Sequence, residues 1–333
     1  VLKMILSLIA DYPDIFVFET NENSEKQNSV HFIGDILEEI KQSLYGLLHA
    51  ILDVLPINVF LTTTVPLLES SVDKEIRYHI ASNIFDKFEN ETVDDHELTQ
   101  SVVHTLNEKI PQEENNVAQV LLNLQSSLIN KYGSFFDNNL LVEVLNLASG
   151  LISTGPRELQ ISSIAVITNC VSVMGVKFIS FYPKVVPICI KLFNETRASK
   201  EELAPQLQLS ILLLFTALVK SIPSFLTSDL ISLMKLIFFS SGVEVTTRLS
   251  VIQLVTEKLD LKNVLGTLLK VWNSEVKESG DSTAISLFLS LLEGTVEKIE
   301  KKSATSQSPL FFKLLICLFE FRSQSEFDTN TIS

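Results

Sequence analysis

Glycine and proline are scarce, with ten of each in 333 residues, where average glycine usage is about 7%. That excludes a turn-rich architecture of short elements and favours long helices. Cysteine is nearly absent: Cys170, Cys189 and Cys317 are an odd number, lack paired spacing, and each sits in an apolar stretch. A disulfide framework and a CxxC site are therefore excluded, and buried, reduced thiols in a cytosolic or nuclear protein are expected. Basic residues are outnumbered, 26 against 40 acidic, for a net charge of −14. A nucleic-acid surface usually shows itself as clustered Lys and Arg, so nucleic acid is not the default partner. The sequence also lacks a Gly-rich phosphate loop and a nucleophile elbow, and no strand-like alternation persists.

Apolar residues are abundant at 46%, enough for a large core or an extended array. Leu159 to Val176 carries no formal charge, and a second such run spans Leu203 to Val219. A membrane span needs about 20 apolar residues. The first run is barely that long, and Gln160, Ser162, Ser163, Thr168, Asn169 and Ser172 within it would lack partners in hydrocarbon. Two such helices in tandem predict a shared buried layer instead of a bilayer. Lys3, a short apolar run and then Asp11, Pro13 and Asp14 do not form a signal peptide. With Val1 first and a polar tail last, the chain reads as a piece of a longer protein. Sequons at Asn90-Glu91-Thr92 and Asn194-Glu195-Thr196 read as accidental without secretory context.

An apolar helix is expected over Val1 to Ala10, then a polar loop over 19–29. From Ile33 helix follows helix; Leu37, Ile40, Leu44, Leu47, Leu48, Ile51 and Leu55 form one apolar face. A breaker followed by a bulky anchor then recurs. Pro56 leads to Val59 and Phe60, Gly133 to Phe135 and Phe136, Gly175 to Phe178 and Ile179, and Pro223 to Phe225 and Leu226. Asp260 leads to Val264 and Leu265 in the same way, without a breaker. Intervals of about 35 to 48 residues match helical hairpin repeats, which run about 40 to 47 residues. Seven hairpins are expected, starting near Asp35, Asp73, Glu113, Gly155, Lys200, Val243 and Asp281. The fold class is all-α, an α-solenoid in one elongated, right-handed domain over 1–333, with a polar tail at 322–333.

"LLESSVDKEIRYHIASNIF" is the most specific junction: a short turn, then Asp73, Ile76 and Arg77. It resembles the HEAT-repeat family, and "FFSSGVEVTTRLSVIQLV" is a looser copy in which Glu244 and Arg248 keep the four-residue separation. The resemblance implies an inter-repeat ladder of acid and Arg side chains, here Asp73, Arg77, Glu244 and Arg248. Physically, an acid at a helix start suits the dipole, and an Arg four residues on shares its face. With its low Gly and Pro, its irregular repeats and the segment "SIAVITNCVSVMGVKFISFYPKVVPICIKLF", the chain also resembles the very large HEAT-repeat subunits of the UtpA subcomplex of the small-subunit processome. That implies a nucleolar, non-catalytic scaffold for early pre-ribosomal RNA processing and ribosomal DNA transcription. Karyopherin-type transport receptors are the alternative, although their tandem Trp/Asn rows are absent and Trp272 is the single Trp.

No catalytic constellation is found, and no catalytic, cofactor-binding or metal-binding residues are expected. The histidines, His31, His49, His79, His96 and His104, fall in the first third. His49 and His79 read as helix residues, and His96 and His104, eight apart beside Asp94 and Asp95, fall short of a converging ligand set. The 21 Phe sit at helical spacing, as core and not as a base-stacking platform. What remains is a surface. Lys177, Lys184 and Lys191 are seven apart and drift only about 20° per step on a helix. Lys235 and Lys270 fall at comparable distances after the next two turns. On the second helices, which line the concave face in HEAT arrays, they would form a shallow basic ladder for an acidic peptide or a phosphate backbone. Lysine as a solubiliser on an ordinary solvated face is the plain alternative. The acidic run Glu89 to Glu97 reads as a solvated loop, or as a dock for a basic partner. The expected partners are protein subunits of a large complex, with pre-ribosomal RNA contacted indirectly, and no membrane or small-molecule substrate.

Overall fold

The computed structural model describes residues 39–40, 42–70, 74–197, 199–302 and 309–318. Val1 to Ala10, the polar loop 19–29, His31, Asp73 and the tail 322–333 lie outside them. Among the described residues every regular element is helical. In chain order they are α1 (42–54), α2 (Ile57–Ser70), α3 (Lys74–Asn90), α4 (His96–Lys109), α5 (Asn115–Tyr132), α6 (Asn138–Thr154) and α7 (Arg157–Met174). Then come α8 (Tyr182–Arg197), α9 (Ala204–Ser221), α10 (Leu230–Phe239), α11 (Val245–Lys258), α12 (Leu261–Val271), α13 (Ser282–Lys302) and α14 (Pro309–Leu318). Odd-numbered helices start the hairpins and even-numbered ones close them, so the protein is an all-α solenoid of helical hairpins.

Local chemistry sets the helix starts. The Asp95 carboxylate accepts from Leu98 N at 2.9 Å to open α4, and Asp260 accepts from Asn263 N at 3.3 Å to open α12. Asp281 accepts from Thr283 N at 2.8 Å to open α13. These side chains satisfy amides that have no partner inside their helix. Before α13, Gly280 takes a left-handed φ of 63°, a conformation that costs glycine little. The anchor pairs after the breakers split: Phe60, Phe136, Phe178 and Leu226 are buried, whereas Val59, Phe135 and Phe225 are exposed.

Contacts divide the chain into two compact units, Val1–Val144 and Leu145–Ser333, with the division inside α6. In the first, starting helices stack, α3 on α5, while closing helices stack as α2 on α4. In the second, α7, α9, α11 and α13 form one layer, and α8, α10 and α12 form the other. Neither helix of a hairpin can bury its apolar stripe alone, so stacking supplies the core. By length and composition Arg157–Ser180 and Ala204–Ser221 could each cross a membrane. Here α7 and α9 pack on each other, and their buried faces include Gln160, Ser162, Ser163 and Gln208.

Candidate partner-binding surfaces

Several neighbouring starting helices are linked near one end or the other, and α3 and α5 near both. Near the C-terminal end, a lysine of one starting helix reaches back to the last carbonyls of the preceding one. Lys87 of α3, 5% exposed, donates to Leu52 O at 3.1 Å and Asp53 O at 2.8 Å of α1. Lys131 of α5 donates to Phe88 O of α3. Lys298 of α13 donates to Thr256 O, to Glu257 O at 3.2 Å and to Leu259 O at 3.0 Å, at the end of α11. An ammonium offers three donors to carbonyls that lack intrahelical partners, at the negative end of the helix dipole. The sequence gives a faint signal for these lysines: each stands between a polar residue and a large apolar one, in Asp86-Lys87-Phe88, Asn130-Lys131-Tyr132 and Glu297-Lys298-Ile299.

Near the other end, Arg77 of α3 meets Glu113, before α5, at 3.0 Å. Arg157 of α7 meets Glu201, before α9, at 3.1 Å, and Glu195 at 3.6 Å. Glu244 and Arg248 are joined through the backbone, Arg248 N donating to Glu244 O at 3.2 Å, while the Glu244 carboxylate accepts from the Thr246 hydroxyl. The Arg248 guanidinium, 4% exposed, turns back to Phe238 O at 3.3 Å, at the end of α10. Burial pushes its pKa down, and the charge of Asp281 opposes that shift. Gln160 to Ile152 O at 3.1 Å and Gln208 to Thr196 O at 3.2 Å repeat the arrangement at the ends of α6 and α8. A side chain from the fourth or fifth position of three starting helices thus caps the closing helix before it.

The lysines of the expected basic ladder differ in setting. Lys177 lies in the turn Gly175–Ser180, and Lys184 and Lys191 are exposed on α8, Lys191 lying 3.8 Å from Glu195. Lys270 is exposed on α12. Lys235 of α10 is bound to the carboxylate of Glu275, which also takes Arg197 of α8. The Arg197 guanidinium stacks 4.0 Å above the Phe239 ring. Burial pushes the Glu275 carboxyl up, but hydrogen bonds from Lys235 and Arg197 outweigh it and hold the group below its ordinary value. Tyr182 donates to Asp229 at 2.7 Å in the same layer; burial and then that carboxylate push the phenol up. The closing layer of the second unit therefore ties three hairpins together through Glu275, a residue that no spacing in the sequence singles out.

The histidines go to rings and carboxylates. His49 lies 3.7 Å from Asp53, and His79 stacks on Tyr45 at 3.8 Å. His96 stacks on the exposed Phe135 ring at 3.9 Å, and His104 lies 3.8 Å from both Glu108 and Glu143. His96 and His104 border an open recess of about 690 Å³ between α4 and α6, with Glu97, Asp137 and Glu143 on its walls. Among the described residues no group of three His, Cys, Asp or Glu could hold a metal ion. Cys170 and Cys189 are free thiols, and burial pushes both up to about 12.

Two stacked layers of helical hairpins, with linking side chains at the hairpin junctions, define an α-helical repeat protein. Within that class, the chain is homologous to one segment of a much larger protein. It is 47% identical over 317 residues to U3 small nucleolar RNA-associated protein 10 of Saccharomyces cerevisiae, covering 94% of this chain and 18% of that protein. The proteins of the same name from Kluyveromyces lactis and Eremothecium gossypii are each 42% identical, over 89% of this chain and 17% of theirs. The chain thus spans less than a fifth of the length of these relatives. No protein-family model matches it.

Proposed function

We propose that this chain is a non-catalytic, partner-binding segment of a nucleolar scaffold for ribosome biogenesis, acting in early pre-ribosomal RNA processing within the small-subunit processome. Homology along 94% of the chain to proteins named for association with U3 small nucleolar RNA carries the reading. The fold supports it, because stacked hairpins offer long surfaces for binding and seldom carry chemistry. The net charge of −14 favours protein contacts, with RNA held by other subunits. On the closing-helix layer, Lys184, Lys191 and Lys270 are the exposed cations proposed to meet an acidic partner segment. Lys177, in the turn before α8, and Lys235, which also binds Glu275, complete the proposed set, and the Arg77 and Arg248 junctions are proposed to hold the repeats in register.

The test is affinity purification of the intact protein from its own cells, with mass spectrometry and RNA sequencing. Recovery of nucleolar processing factors with the 5′ part of pre-ribosomal RNA is expected. Protein partners should persist after nuclease treatment. Recovery of a small GTPase with nuclear-pore proteins instead would overturn the reading in favour of transport. Lys184→Glu with Lys191→Glu is expected to lose at least one protein partner while the protein keeps its helical circular dichroism.

A further inference from the structure

The starting-helix layer of the second unit carries leucines on its outer side as well as its inner one. Leu209 and Leu213 of α9, Leu249 of α11 and Leu289 of α13 are between 37% and 46% exposed. They lie on consecutive helices, because α9 packs on α11 and α11 on α13. Between α11 and α13 lies a groove of about 670 Å³, bordered by Leu249 and the buried Ile252 on the α11 wall and by Ser290, the residue after the exposed Leu289, on the α13 wall. Gly294 lies opposite Thr256, where an added Cβ would come within 3.1 Å of the threonine methyl. The missing side chain lets the two helices approach and leaves the groove floor open.

Among the described residues, acidic side chains outnumber basic ones at the groove. Glu257 of α11 and Glu293 and Glu297 of α13 line its C-terminal half, and all three are exposed. Among the described residues of its lining the cation is Lys298, which is turned to the α11 carbonyls. An occupant must therefore cover leucines at one end and bring positive charge to the other. A helix with apolar residues three and four apart satisfies the first need, and Lys or Arg on its flank satisfies the second.

We infer that the α11–α13 groove receives a basic amphipathic helix of a partner protein, its apolar face on Leu249 and on Leu289 at the groove's edge, and its basic flank on Glu257, Glu293 and Glu297. The inference rests on the scaffold reading and gives it a specific site. The test places a photoreactive benzoylphenylalanine at Gln253, which borders the groove and is exposed, in the intact protein in its own cells, and sequences the crosslinked peptide. A peptide from another protein is expected, with apolar residues at helical spacing and Lys or Arg beside them. Leu249→Gln with Leu289→Gln should lower the crosslink yield about tenfold, as should Glu293→Lys with Glu297→Lys. These positions are exposed, so helical content is expected to persist in both variants.

A crosslink to a second copy, to another stretch of the same polypeptide, to RNA or to an acidic segment would overturn the inference. So would no crosslink, or a yield unchanged in both variants. The scaffold reading fails separately, when the intact protein is recovered without nucleolar factors.

Discussion

Lys87 shows how much one side chain can carry in a stacked fold. It is buried, donates to two carbonyls at the end of the preceding starting helix and lies over the Phe60 ring at 5.2 Å. Lys87→Met keeps the stem and removes the donors, so the carbonyls of Leu52 and Asp53 lose their partner. A loss of about 1–3 kcal/mol is expected from the urea midpoint, partly offset because a buried charge is also removed. Glu275 makes a pH prediction. Its folded-state pKa is depressed, so its contribution is present above the unfolded value of about 4.3 and is lost as pH falls through the folded value. Glu275→Gln should therefore lower the urea midpoint at pH 7, and the gap to the parent protein should narrow at pH 3. The thiols offer a third check. With Cys170 and Cys189 held up to about 12, neither ionises near pH 8, and the half-buried Cys317 should be the first to react with a thiol reagent. Equal reaction of all three in the native state would contradict the burial.

Helices and turns differ in what they tolerate. Gly150 stands inside α6, is exposed, and an added Cβ there meets nothing within 4 Å. Gly150→Ala is expected to stabilise by about 0.5–1 kcal/mol, read as a rise in melting temperature. Gly242, in the turn between α10 and α11, is the opposite case: a Cβ would lie 2.3 Å from the Pro205 side chain at the start of α9. Gly242→Ala should cost about 1–3 kcal/mol by the same measurement. After α12 the chain widens into a π-helical turn, Trp272–Val276, that buries the single Trp with its ring centroid 4.9 Å from that of Phe288. The amphipathic spacing of α12 announces the helix, but the π turn, and with it the placing of Glu275 toward Lys235 and Arg197, has no counterpart in the periodicity.

At the scale of the whole molecule, stability should be graded from helix to helix. In the second unit α9 is covered by α7, α8, α10 and α11. Hydrogen exchange followed by mass spectrometry is expected to be slowest in α9 and faster in α14, where Leu314 is the one buried side chain among the described residues, since opening a helix costs more where more neighbours cover it. Equal protection along the chain would contradict this. The hairpin starts near Asp73, Glu113, Gly155, Lys200, Val243 and Asp281 are legible in the sequence, and α3, α5, α7, α9, α11 and α13 each begin within about four residues of them. The pairing of side chains across those junctions is less legible. Arg77 meets Glu113, 36 residues on, a partner that no helical spacing from Arg77 singles out, while Asp73 lies outside the described residues. Lys235 reads as one rung of a basic surface but is bound to Glu275, and Lys191 has Glu195 beside it.

By itself the sequence determined the helices, their hairpin spacing and the lack of an evident catalytic motif. These follow from local rules: a 3.6-residue apolar period, breakers at regular intervals, and motif residues present or missing within short windows. Tertiary structure decided which uncharged helix covers which, which lysines are spent on carbonyls and which stay on the surface, and where leucines remain outside. Those outcomes depend on side chains about 35 to 45 residues apart meeting across a helix stack. A residue's spacing sets its face on its own helix, but the neighbouring repeat sets what that face meets.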